Sequence, residues 1–190
     1  MQRSQDRILD EYLAASARAG DRAALEELGR RWEKRLVRHA WRLTGDVEQA
    51  RDVAQDAWVD IAKGVRRLDD CATFPAFAYR IVTRRAADWV RRAKRRRLAM
   101  ATLAAESGSA SAGNDAAEAL ASAGAVNTAL ATLPAGQRAA IALFYLEDMS
   151  VAEVAVALGI PTGTVKTRLK AARDRLRTAL GITTEDGEGR

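Results

Sequence analysis

Apolar residues recur at three- and four-residue intervals through most of this chain, and the first clear run opens just after Asp21. Ala24, Leu25, Leu28, Trp32, Leu36, Ala40 and Leu43 fall on one stripe, the spacing of a helix with a buried face. Asp21 has the short acceptor side chain that caps a helix start, and Gly45 suits the left-handed backbone that ends one. A second helix is predicted from Asp46. It carries Val47, Ala50, Val53, Ala54, Ala57, Trp58 and Ile61 on its inner side and Glu48, Asp52, Gln55, Asp56 and Asp60 on its outer side. Leu68–Pro75, "LDDCATFP", reads as a loop. A third, long helix is predicted from about Pro75 to Arg97, because proline fits a helix's first turn. Ahead of these, residues 1–20 form an N-terminal segment predicted to be helical.

The rhythm stops at about residue 98. Residues 98–126 are mostly Ala, Ser and Gly, too poor in large apolar side chains to build a core, and read as a flexible linker. Periodicity returns over 127–182, ahead of a polar tail, 183–190, expected to fray. The predicted fold class is therefore all-α: two small helical domains, 21–97 and 127–182, on a tether.

The sharpest pattern lies in the second domain. Val151, Val154, Ala155 and Leu158 sit at i, i+3, i+4 and i+7, with Ser150 where an N-cap belongs. Gly159-Ile160-Pro161 makes a tight turn, and a further helix from about Thr162 places Val165, Leu169, Ala172 and Leu176 on its inner side. At about 100° per residue, Lys166, Lys170, Arg173 and Arg177 then share a neighbouring face, with Thr167 and Ala171 beyond them. A short helix, a glycine turn and a second helix with a basic outer face form a helix-turn-helix suited to major-groove docking. Lysine and arginine attract phosphates and reach guanine edges, while Thr167 and Ala171 are small enough to admit a base. A plain helical hairpin with a solvated charged face shares the raw charge pattern; the turn and the one-sided basic face argue for DNA.

Charge sharpens the picture of the first domain. The chain has 31 basic and 25 acidic residues, a net charge of +6, so what matters is how the charges are distributed. Between Phe77 and Arg97 lie Arg80, Arg84, Arg85, Arg91, Arg92, Lys94, Arg95, Arg96 and Arg97 against one acid, Asp88, with Phe77, Tyr79 and Trp89 interleaved. Cations along a backbone and aromatic faces for bases are how single-stranded DNA is held. The same aromatics lie near an apolar helix face with Ile81, and core packing is the competing role for each of them.

Other chemistry is sparse. His39 and Cys71 are the only histidine and cysteine, so a Cys/His zinc site cannot be built. His39 reads as a surface or boundary residue of a basic helix, and Cys71 as a small residue within the loop. A glycine-rich phosphate loop and a nucleophile–base pair are both lacking, so neither catalysis nor a cofactor is expected. No apolar run approaches the ~20 residues of a membrane span, and an unpaired cysteine suits a reducing cytoplasm.

"LPAGQRAAIALFYLEDMSVAEVAVALGIPTGTVKTRLKAARDRLRTAL" resembles the fourth conserved region of bacterial sigma factors, especially the extracytoplasmic-function group. The likeness rests on Leu133, Pro134, Gln137 and Arg138, and on "GIP.GTVK.RL..AR..L" from Gly159 to Leu176. "GDRAALEELGRRWEKRLVRHAWRLTGDVEQARDVAQDAWVDIAKGVRRL" and "FAYRIVTRRAADWVRRAKRRR" resemble the second conserved region. The matches come in the family's order with a linker between them.

The resemblance implies the partners. RNA polymerase core would be gripped through Asp52, Gln55 and Asp56, at the family's "D..Q(D/E)" positions. The melted minus-ten strand would be read by the loop residues Leu68, Asp69, Asp70 and Cys71 and held by Tyr79, Arg80, Arg84, Arg85, Trp89, Arg91 and Arg92. The upstream, minus-thirty-five element would be read as duplex by Thr164, Lys166, Thr167, Arg168, Lys170, Ala171 and Arg173. An anti-sigma factor is the implied inhibitor. The chain departs from the family at Arg84, where many members have asparagine, and at Leu68, often an aromatic. Two alternatives stand: a free-standing helix-turn-helix regulator acting without core polymerase and, more distantly, an enzyme or docking adaptor. The acidic helix face separates the first two, since a free-standing regulator has no use for it.

Overall fold

Asp21 opens helix α2 (Arg22–Thr44): its Oδ1 accepts from the backbone N–H groups of Ala23 and Ala24 at 2.9 and 3.2 Å. Helix α1 (Gln2–Arg18) precedes it. Gly45 closes α2 in the left-handed region at φ 78°, its N–H returning to the Trp41 carbonyl at 2.8 Å. Asp46 caps α3 (Val47–Gly64) by accepting from the Gln49 N–H at 3.0 Å. Two single 3₁₀ turns, Val65–Arg67 and Cys71–Thr73, bracket a short connection into α4 (Phe74–Ser107). Helices α5 (Ala135–Tyr145), α6 (Val151–Leu158) and α7 (Thr162–Ala179) follow. The computed structural model describes residues 2–107, 129–130 and 132–179, and among these every regular element is a helix.

Helix α4 does not stop at Arg97 but runs on to Ser107, through the first part of the stretch read as linker. Leu98-Ala99-Met100-Ala101 are strong helix formers, and extending a helix already nucleated needs no buried face of its own. The remainder of that stretch, 108–126, and the tail 183–190 lie outside the described residues.

Helices α2, α3 and α4 enclose the first part of the core. Trp32 is 1% exposed, and the rings of Phe74 and Tyr79 meet it edge-on at centroid distances of 5.2 and 5.4 Å. Leu28, Leu36, Ile61, Val65 and Val82 fill the space around them. Helix α1 lies along α2 through Leu13, Ala14 and Ala17. Its buried Asp10 accepts from Arg31 at 3.0 Å and from Arg35 at 3.5 Å. A buried carboxylate is tolerable only with such partners.

The second part, α5 to α7, leans on the first: α6 lies against α4, α5 against α2, and their apolar side chains join one cluster. The α5–α6 connection carries a charge into this seam. Glu147, its side chain 7% exposed, stands 3.6 Å from Arg42 and 3.8 Å from Arg35. At the rim Arg7 donates to the Asp148 carbonyl at 3.0 Å and pairs with Glu153 at 3.2 Å.

His39 is not the boundary residue its basic neighbours suggest; it is fully buried. It stands three residues after Leu36, on the same inner stripe, and its Nε2 lies 2.9 Å from the Thr83 hydroxyl while its ring meets Tyr79 edge-on. Burial, with the charge of Arg42 adding to it, lowers its pKa from 6.5 to about 3. The fold therefore holds the neutral ring, while the unfolded chain takes up a proton below about pH 6.5. Its contribution to stability is complete above pH 6.5 and is lost as pH falls towards 3. Urea unfolding between pH 7 and 4.5 should show stability declining by up to about 1.4 kcal/mol per pH unit from this group. His39→Gln, which can still meet Thr83, should flatten that slope.

Candidate nucleic-acid interface

Ser150 begins the helix-turn-helix with a full capping box: its hydroxyl accepts from the Glu153 N–H at 3.2 Å, and the Glu153 carboxylate accepts from the Ser150 N–H at 2.7 Å. Burial opposes ionisation of Glu153, but the Ser150 bonds and Arg7 together hold its carboxyl below the ordinary range. Gly159 makes the turn at φ 64°, and Ile160 packs against the core. Val154, Ala155, Val165, Leu169 and Ala172 are buried between α6 and α7.

The predicted reading residues divide on this scaffold. Thr164, Lys166, Thr167, Lys170 and Arg173 are exposed on α7 and Ala171 is half-buried beside them. The Thr167 hydroxyl donates to the Gly163 carbonyl at 3.1 Å, a bond that leaves its oxygen able to accept. Arg173 anchors its Nε on the Leu169 carbonyl at 3.3 Å. Arg168 differs from the rest. It is half-buried against α5, where a methyl group on Gly136 would come within 3.0 Å of its guanidinium. It braces α7 on α5 and does not share the outer face.

Helix α4 sorts its residues as sharply. Arg80, Arg84, Arg91 and Arg92 are exposed, with Arg91 paired to Asp88 one turn earlier. Arg85 is held from α3: its Nε and Nη2 both donate to Asp60, at 2.9 and 2.6 Å. Trp89 is half-buried and lines a groove between α3 and α4 with Asp52, Asp56, Arg85, Arg92 and Arg96. Tyr79 cannot stack on a base. It is 1% exposed and wedged between Trp32 and His39, and burial followed by the nearby Glu147 carboxylate raises its pKa well above 10. Tyr79 follows Phe74 by five residues and turns to the inner side of α4, so core packing wins over stacking there.

The loop ahead of α4 is partly turned inward. Leu68 is half-buried, Asp69 and Asp70 are exposed, and Cys71 is buried at 7% exposure, so its side chain is withdrawn from the surface. Asp70 caps the following turn by accepting from the Ala72 N–H at 2.9 Å, and the Thr73 hydroxyl donates to the Asp70 carbonyl at 2.6 Å. On the opposite flank of α3, Asp52, Gln55 and Asp56 are all exposed on one face, with Val53, Ala54 and Ala57 buried behind them. No cluster of metal-ligating side chains is found among the described residues, nor any helix long and apolar enough to cross a membrane.

Three structural residues had weak signals or none in the sequence. The Ser-x-x-Glu spacing of Ser150 and Glu153 is legible as a capping box. Asp60 was visible only as one more outer-face acid, and nothing marked Glu147, whose partners come from another domain. Gly159 offers a direct test of the turn. A Cβ there meets nothing within 4 Å, so only the left-handed backbone is at stake. Gly159→Ala should cost about 1–2 kcal/mol in thermal or urea unfolding. It should also loosen duplex binding by α7, measured by fluorescence anisotropy of the full chain with polymerase.

Residues 28–96 match the family model for Sigma-70 region 2, and residues 123–176 that for Sigma-70, region 4. The ECF RNA polymerase sigma factor SigM of Mycobacterium tuberculosis is 36% identical over 172 residues, covering 90% of this chain and 85% of SigM. SigW of Bacillus subtilis is 28% identical over 170 residues, covering 85% of this chain and 91% of SigW. Among solved structures, CnrH in complex with the cytosolic domain of CnrY superposes with a TM-score of 0.63 at 27% identity, covering 91% of this chain and 97% of CnrH. The sigma factor RpoE in complex with the anti-sigma factor NepR from Bartonella quintana shares the fold, with a TM-score of 0.61 at 23% identity over 83% of this chain and 96% of RpoE.

Proposed function

The chain belongs to the extracytoplasmic-function RNA polymerase sigma factors, and from that premise we propose how its surfaces divide promoter recognition. As a sigma factor it binds RNA polymerase core and directs initiation at promoters. The observation that carries the division is that one chain of net charge +6 exposes Asp52, Gln55 and Asp56 on α3, beside an arginine-rich α4, and a second basic face on α7.

Residues 21–97 take core polymerase and the minus-ten element. The face of Asp52, Gln55 and Asp56 would be repelled by DNA and suits a basic surface on a protein partner. The exposed arginines of α4, Arg80, Arg84, Arg91 and Arg92, hold the phosphates of the melted strand, and Trp89 is the aromatic placed to meet a base. Arg84 supplies charge where an amide would supply hydrogen-bond pattern, so it holds the strand without reading it. The loop at Leu68–Asp70 receives an unstacked base, whose pairing edge is then open to inspection. Residues 127–182 read the upstream element as duplex through Lys166, Thr167, Lys170 and Ala171. Arg168 supports them from behind.

The chain performs no bond chemistry of its own in this scheme; nucleotide addition belongs to the polymerase, and the protein works where the polymerase does, in the cytoplasm. Because CnrH is seen with the cytosolic domain of CnrY and RpoE with the anti-sigma factor NepR, an anti-sigma factor is the regulator proposed here.

Run-off transcription from a randomised promoter library, with core polymerase and purified protein, tests the reading. Core should gain promoter-specific initiation; DNA binding by the chain alone, with no gain in initiation, would favour a free-standing regulator. Lys166→Ala should alter base preference in the upstream element alone. Arg173→Ala should weaken binding across all sequences and lower the salt slope by about one.

A further inference from the structure

The loop proposed to select the minus-ten base is held in place from the far end of α1. Arg18, the last residue of that helix, donates from one guanidinium nitrogen to the carbonyl oxygens of Leu68 and Asp69, at 3.0 Å each. These partners are 50 and 51 residues away in sequence. The second half of the loop is tied locally, by the Asp70 carboxylate on Ala72 and the Thr73 hydroxyl on the Asp70 carbonyl. The first half has one local backbone bond, from the Leu68 N–H to the Val65 carbonyl at 3.2 Å. Arg18 is its only long-range hydrogen bond among those of the described residues. Helix α1 also packs on both 3₁₀ turns that flank the loop, so the guanidinium arrives from a fixed platform.

We propose that Arg18 is a positioning residue for minus-ten selection, fixing the Leu68–Asp69 backbone so that the loop offers one shape to an unstacked base. The inference rests on the reading of this loop given above. Charge strengthens the tie, because a cationic donor bonds a carbonyl more firmly than a neutral one does. Arg18 also brings a positive charge to the backbone of Asp69, in a loop whose exposed carboxylates, Asp69 and Asp70, would repel an approaching phosphate backbone. The side chain is exposed, so its loss should change the loop's order rather than the fold's stability.

The test is transcription by holoenzyme containing the full chain, on a library randomised separately in the minus-ten and upstream elements. Four proteins are compared: wild type, Arg18→Ala, Arg18→Lys and Asp69→Ala. Arg18→Ala should reduce discrimination at the minus-ten position nearest the loop roughly 3- to 10-fold, as expected for a lost charge-assisted hydrogen bond on an exposed site. Upstream preferences, core affinity and melting temperature should stay as in wild type, and Arg18→Lys, which keeps the cation, should restore part of the discrimination. Unchanged minus-ten discrimination in Arg18→Ala, while Asp69→Ala alters it, would overturn the role of Arg18 and leave the loop reading intact. If neither substitution alters it, the loop reading and the inference built on it both fall. If Arg18→Ala lowers stability, Arg18→Lys decides: a folded Arg18→Lys protein without recovered discrimination contradicts a positioning role.

Discussion

The seam between α2 and α4, where Trp32 receives the edges of Phe74 and Tyr79, is the contact on which the rest of this structure depends. Aromatic rings of this size bury large apolar areas and prefer such edge-on arrangements. Phe74 is the first residue of α4, so pinning it fixes where the preceding loop ends. Tyr79 pins the next turn, and the direction of α4 follows, along with the side on which Arg80, Arg84 and Arg92 emerge. Tyr79 also lies close to Glu147, so the same seam receives this buried carboxylate of the second domain. A truncation at Trp32 would therefore be felt at the loop, along the arginine row and at the domain junction together.

Electrostatics then separates the surfaces. Several acids are consumed in ion pairs: Asp10 of α1 by Arg31 and Arg35, Asp60 of α3 by Arg85, and Glu147 of the second domain by Arg42 and Arg35. Among the charges that stay outward are a patch of acid on α3 and two runs of base on α4 and α7. A buried ion pair costs desolvation and adds little stability relative to apolar packing, yet losing one member is expensive. The Glu147–Arg42 contact consequently sets the register of the two domains more than it strengthens their union. It also means that moving α5–α7 away from α2 exposes charges which water can take over, so separation need not be prohibitive.

The sequence was most informative where local rules act alone. Asp21, Gly45, Asp46, Ser150 and Gly159 occupy the cap positions their chemistry indicates, and the inner stripes of α2, α3, α6 and α7 are buried or half-buried as their spacing implies, except Val47, which stands exposed in the first turn of α3. It was least informative where a residue's role depends on something distant in the chain. Tyr79 and His39 look like surface chemistry amid arginines, but each lies on an inner stripe and each packs on the other. Cys71 sits in a polar loop and is nevertheless turned inward. Arg18, Arg85 and Arg168 read as generic cations, and only the fold assigns them a carbonyl pair, a carboxylate and a neighbouring helix to brace. The extension of α4 to Ser107 was hidden for a different reason: low apolar content signals a missing core, not a missing helix.

Central to all of this is the division between a duplex-reading domain and a strand-holding domain, and footprinting of holoenzyme on a single promoter addresses it most directly. Upstream protection from nuclease and downstream reactivity of unpaired thymines to permanganate are read from the same complex. Lys170→Ala in α7 should lose upstream protection while thymine reactivity persists at saturating holoenzyme, and Arg84→Ala in α4 should do the reverse. Loss of both signals together in each variant, or of neither, would contradict a division of labour between the two domains.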